Sequence, residues 1–136
     1  MKYRFIDDLT SDVMFEAYGK DAKELFENAA MALMDVICKV DEVGEKTVRE
    51  VTLEGESPDD LLINWLQAII ALVDTEGLFF SRFDIREISD TRMVAECFGS
   101  PVVRELGGTV VKAVTYYKFR LEQTKKGLCA TVSLDI

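Results

Sequence analysis

Over residues 61–73 apolar side chains recur at the spacing of a helix: Leu61, Leu62, Trp65, Leu66, Ile69, Leu72 and Val73. The other face holds Ile63, Asn64, Gln67, Ala68 and Ile70, so the helix is apolar nearly all round. Such a helix belongs in the middle of a fold, and the sheets and a second helix are expected to pack against it. Ser57, Pro58, Asp59 and Asp60 mark its start. Serine caps, proline fits the first helical position, and acids suit the positive end of the dipole. Gly77 is expected to stop it in the left-handed conformation, and Leu78, Phe79, Phe80, Phe83 and Ile85 then open a strand. A second helix starts at Asp21, with Glu24 three residues later as in a capping box. Its stripe is Ala22, Leu25, Phe26, Ala29, Ala30, Leu33, Val36 and Ile37. Lys23, Glu27, Asn28 and Asp35 fall off that stripe, which predicts one face in water.

Elsewhere the period is two, the mark of strands. Residues 2–6 form a short strand, 7–12 a polar turn with three aspartates, and 13–18 a second strand ended by Gly19. Residues 40–46 read as a loop, 47–54 as a strand with charges on one side, and 92–98 as a strand ended by Gly99, Ser100 and Pro101. Gly107 and Gly108 predict a mobile loop over 102–108. Residues 110–122 read as one long strand, 125–127 as a turn, and 128–136 as the last strand. On that strand Leu128, Ala130, Val132 and Leu134 face one way, and Cys129, Thr131, Ser133 and Asp135 the other. The order ββαβαββββ predicts one α+β domain over residues 1–136, with two helices packed on a mostly antiparallel sheet.

Composition narrows the chemistry. The net charge of −9 argues against direct, electrostatically driven nucleic-acid binding, which needs cations to displace counterions from phosphates. There is no histidine, which removes Ser-His-Asp and Cys-His catalysis and imidazole ligation. Cys38, Cys97 and Cys129 lack metal-ligand spacing and read as free thiols in a reducing cytoplasm. The N-terminus has no apolar signal core, and about fifteen apolar-rich residues after Ser57 are too few to span a bilayer. No phosphate-binding glycine loop or nucleophile elbow is present.

Carboxylates are the reactive groups in quantity: Asp7, Asp8 and Asp12 in the first turn, Asp74 and Glu76 at the end of the apolar helix, and Asp135. Most such groups are solvated surface or helix caps. Asp135 differs because the α-carboxylate of Ile136 is next to it, and paired carboxylates suit a hard cation. Lys112, Thr115, Tyr116, Tyr117 and Lys118 fit the wet face of a strand more simply than a ligand face. Arg82 fits an acid, a phosphate or open solvent equally.

Four stretches resemble the archease family. They are Asp8-Leu9-Thr10-Ser11-Asp12-Val13 with Phe15-Glu16-Ala17-Tyr18-Gly19, Leu25-Phe26-Glu27-Asn28-Ala29-Ala30, Trp65-Leu66 with the run from Asp74 to Phe83, and Lys112-Ala113-Val114-Thr115-Tyr116 with Asp135-Ile136. The resemblance implies a non-catalytic activator of the GTP-dependent tRNA-splicing RNA ligase, one that promotes ligase guanylylation and repeated turnover. The alternative role attached to the family is chaperone for a tRNA-modifying enzyme such as a tRNA methyltransferase. It also implies a metal site of Asp12, Asp135 and Ile136, the last through its terminal carboxylate, holding calcium first and magnesium or manganese otherwise. Leu9 and Tyr117 stand where the family usually has histidine.

Overall fold

A computed structural model describes residues 1–8 and 13–136. The elements are β1 (Tyr3–Ile6), β2 (Val13–Gly19), α1 (Ala22–Ile37), β3 (Thr47–Glu54), α2 (Pro58–Glu76), β4 (Leu78–Ile88), β5 (Arg92–Pro101), β6 (Ala113–Thr124) and β7 (Gly127–Asp135). The order is the expected ββαβαββββ. The strands form two sheets, β1-β2-β7-β6 and β3-β5-β4, and every pairing is antiparallel.

Both helices begin with the same device. The Asp21 carboxylate accepts from the Glu24 amide at 2.9 Å, and Glu24 Oε1 accepts from the Lys20 amide at 3.0 Å. At the second helix, Ser57 Oγ accepts from the Asp60 amide at 3.1 Å, and Asp60 Oδ2 accepts from the Glu56 amide at 2.8 Å. Each pair satisfies one orphan amide of the first helical turn and the amide of the residue before the cap. A glycine precedes each device for the same reason: a Cβ on Gly19 would lie 2.2 Å from the Leu25 amide nitrogen, and one on Gly55 would lie 2.8 Å from that of Leu61. Gly77 ends α2 at φ 62°, the left-handed stop that its position predicts.

The helix at the centre is α1, not α2. It packs on β2 of one sheet and β4 of the other, whereas α2 meets mainly β6 and β3. Leu25, Ala29, Ala30, Ala32 and Leu33 have no exposed surface. Asn28, expected in water, is buried, and its Nδ2 donates to the Tyr18 carbonyl at 2.7 Å. Alanine explains the difference: it adds little hydrophobicity to a pattern, yet its size lets backbone approach from two sides. α2 is buried as expected on the face carrying Leu61, Leu62, Trp65, Leu66 and Ile69. The Trp65 indole N–H donates to the Phe26 carbonyl at 3.0 Å and ties the two helices together.

Two further expectations change. Residues 102–108 are fastened to the end of α1 rather than open. They include a 3₁₀ turn, Arg104–Leu106, and they close the end of α1. The Gly108 amide donates to the Ile37 carbonyl at 2.8 Å, the Thr109 amide to the Val36 carbonyl at 2.9 Å, and the Lys39 amide to the Leu106 carbonyl at 2.8 Å. Glycine at 108 serves close approach, since a Cβ there would sit 2.8 Å from the Val36 carbonyl oxygen. The long strand over 110–122 begins instead at Ala113 and is interrupted. Thr115 pairs with Ser133 and Arg120 with Thr131, so residues 116–119 stand opposite the single residue Val132.

Candidate functional site

Where β2 starts, β7 ends and β6 begins, three stretches of chain meet at one end of the first sheet. Val13 pairs with Leu134, Ala113 pairs with Asp135, and the Lys112 amide donates to the Asp135 carbonyl at 2.8 Å. Two bonds hold this end from behind. Gln67 of α2 accepts the Val114 amide on its Oε1 at 2.6 Å, and Ser133 Oγ donates to the Tyr117 carbonyl at 2.8 Å. That second bond explains why Ser133, on the face expected to be wet, is 1% exposed. The interrupted strand folds over it.

The interruption turns two side chains toward the end of β1. The Tyr117 hydroxyl donates to Asp8 Oδ1 at 3.2 Å, and Lys118 Nζ donates to Asp8 Oδ2 at 3.0 Å. Lys118 has φ 52°, in the left-handed region that side chains other than glycine rarely adopt. The Asp8 carboxylate holds the Lys118 ammonium above the ordinary lysine range, and the Tyr117 hydroxyl adds to this.

Of the carboxylates singled out, Asp135 is exposed at this end, and among the described residues no lysine or arginine forms an ion pair with it. Ile136 follows it and is 37% exposed. Asp12 lies outside the described residues, as does Leu9. Among the described residues, no three acidic, cysteine or histidine side chains converge as a metal site. Asp74 and Glu76 lie elsewhere: Glu76 pairs with Arg49 at 2.9 Å, and Asp74 edges a cavity of about 110 Å³ lined by Ile37, Ile70 and Phe79. Arg82 takes an acid, pairing with Glu45 at 3.0 Å while its guanidinium lies 3.8 Å over the Phe98 ring. Sequence reasoning did not find Asp8, Ser133 or Gln67 as parts of this end. Their partners lie 109, 16 and 47 residues away, and no local signal marks such pairs. Among the described residues, no helix is long and apolar enough to cross a membrane.

Residues 3–136 match the model of the Archease protein family (MTH1598/TM1083). The archease of Archaeoglobus fulgidus is 39% identical over 140 residues, covering all of both chains. That of Pyrococcus abyssi is 36% identical over 124 residues, 87% of each. Among solved structures, protein 1598 of Methanobacterium thermoautotrophicum superposes with a TM-score of 0.80 at 29% identity, over 98% of both chains. A Thermotoga maritima protein, described as an archease and possible chaperone, has the same fold, with a TM-score of 0.71 at 22% identity. It covers 98% of this chain and 97% of its own.

Proposed function

The chain belongs to the archease family, and from that membership and the geometry where β2 meets β7 we propose that it is a non-catalytic, metal-binding activator of the GTP-dependent tRNA-splicing RNA ligase. It promotes ligase guanylylation and lets the ligase turn over repeatedly. Its partner is the ligase itself; it binds no nucleic acid directly and works in the cytoplasm. The observation that carries the reading is the pairing of Val13 with Leu134. Asp12 precedes Val13 in the chain and Asp135 follows Leu134, so the two carboxylates belong to residues one step beyond a ladder pair.

The donor chemistry fits a hard cation. Asp12, Asp135 and the terminal carboxylate of Ile136 offer oxygen alone, which suits calcium, magnesium or manganese rather than zinc. Asp135 is exposed and, among the described residues, in no ion pair, whereas Asp8 is already neutralised by Lys118 and stays outside the set. A bound cation supplies the charge that holds carboxylates from both ends of the chain together. Ser133 and Gln67 brace β6 and β7, the strand pair that ends in Asp135. Tyr117 stands where the family usually has histidine, and its hydroxyl supplies a donor to Asp8. Activation then follows from binding one conformation of the ligase better than another, since a partner shifts an equilibrium only by its differential affinity.

The test is multiple-turnover ligation of tRNA exon halves by a limiting amount of the cognate ligase. The protein raises the number of turnovers per ligase, and Asp12→Ala or Asp135→Ala loses that effect with unchanged circular dichroism. Full activity in both variants removes the metal site from the mechanism. No stimulation by the unaltered protein rejects the activator role and leaves chaperoning of a tRNA methyltransferase as the reading to pursue.

A further inference from the structure

Tyr116 is the most exposed aromatic side chain among the described residues whose exposure is large, at 73%, while everything around it is fastened. It opens the interruption in β6, residues 116–119, which stands opposite Val132 alone. The next residue, Tyr117, is held twice, by Ser133 Oγ on its carbonyl at 2.8 Å and by Asp8 on its hydroxyl at 3.2 Å. Lys118 is held by Asp8 at 3.0 Å and takes a backbone conformation, φ 52°, that only surrounding contacts sustain. Phe119 packs back against the core. The Tyr116 side chain makes no hydrogen bond or ring contact among the described residues. Its neighbour Thr115 pairs with Ser133, two residues before Asp135, so the ring sits at the same end of the sheet as the proposed cation site.

A ring this exposed, beside a residue held in the left-handed region, gains little from burial in this fold. It contributes to a partner, because a side chain presented by a preorganised backbone loses little freedom on docking. Tyrosine is among the residues that most often carry interface energy when they fill a pocket. We propose that residues 116–119 are a preformed docking element, and that the Tyr116 ring seats in an apolar pocket of the ligase at the end of the sheet that carries Asp135. This rests on the ligase reading above and names the contact that the reading leaves open. Stacking on an RNA base is the other use of an exposed ring, and the net charge of −9 disfavours it for this chain alone.

The experiment measures binding of the full chain to immobilised cognate ligase at fixed calcium, for the unaltered protein, Tyr116→Ala and Tyr116→Phe. Thermal melts confirm that all three fold alike. Tyr116→Ala raises Kd at least about tenfold, the mark of an interface anchor, and Tyr116→Phe stays within about threefold. Equal Kd for Tyr116→Ala and the unaltered protein overturns the docking element and leaves the activator role standing. No binding by the unaltered protein overturns both. Binding of single-stranded RNA by the unaltered protein that is lost in Tyr116→Ala overturns the protein contact in favour of RNA.

Discussion

Glu27 of α1 does the work of a missing strand. β4 lies at the edge of its sheet, so the outward amide and carbonyl of Ile85 have no strand beside them. Glu27 Oε2 accepts the Ile85 amide at 2.9 Å, and Lys23 Nζ donates to the Ile85 carbonyl at 2.8 Å. The two side chains also bond to each other at 2.8 Å. Glu27→Ala removes a hydrogen bond from an amide to a charged group and leaves that partly buried amide unpaired, a loss of about 1.5–3 kcal/mol. The Lys23–Glu27 ion pair adds only about 0.3–0.5 kcal/mol, because it is an i,i+4 pair whose lysine is 49% exposed. The total is about 2–3.5 kcal/mol. With a urea m-value of roughly 2 kcal/mol per molar, the unfolding midpoint falls by about 1–2 M. Glu27→Gln keeps an oxygen acceptor and is expected to lose about half as much. The assay is urea unfolding followed by Trp65 fluorescence. A loss below about 0.5 kcal/mol for Glu27→Ala, the size of an ordinary surface change, refutes the reasoning. The freed edge also predicts faster aggregation of the variant, since an unpaired strand edge templates other chains.

Four other outcomes are expected. Asp84 is held below the ordinary carboxylate range, first by the Lys23 hydrogen bond and then by Arg86, so the stability it contributes is present above about pH 4 and lost as pH falls through its depressed native value. The stability difference between the unaltered protein and Lys23→Ala therefore shrinks from pH 7 to pH 3; an unchanged difference in urea melts rejects the coupling. Gly99→Ala would put a Cβ 2.0 Å from the Phe79 carbonyl oxygen, backbone against backbone, and is expected to lose about 2 kcal/mol or more. Gly44→Ala meets only Ser100 Oγ, at 3.0 Å, a buried hydroxyl that has no hydrogen-bond partner among the described residues and is free to turn aside, and stays within about 0.5 kcal/mol in the same melts. Burial pushes the Cys38 thiol to about 11 and the Cys97 thiol to about 12, so a disulfide reagent at pH 8 labels the half-buried Cys129 first and the other two only on unfolding. Equal, fast labelling of all three contradicts this.

Signals carried by neighbours in sequence were legible. Ser57, Pro58 and Gly77 bounded α2 because capping and stopping a helix involve residues within one turn. Asp21 and Glu24 marked the start of α1. The depth of α1 was not legible, because its alanines matter through what they let approach, which hydropathy does not record. The 110–122 stretch alternates like a strand, so nothing local announced that residues 116–119 would leave the ladder. That departure depends on Ser133 and Asp8, distant in sequence. The candidate site was read partly from residues and partly from likeness. Asp135 and Ile136 stood out as adjacent carboxylates, while the link to Asp12 came from the family resemblance and falls outside the described residues.

The most direct test of the central claim is guanylylation of the cognate ligase by labelled GTP, compared with no addition, with this protein, and with this protein carrying residues appended after Ile136. The account predicts stimulation by the native form and its loss on extension, because the appended chain replaces the terminal carboxylate with an amide. No stimulation by the native, folded protein contradicts the activator role, and equal stimulation by both forms contradicts a cation site built on Ile136.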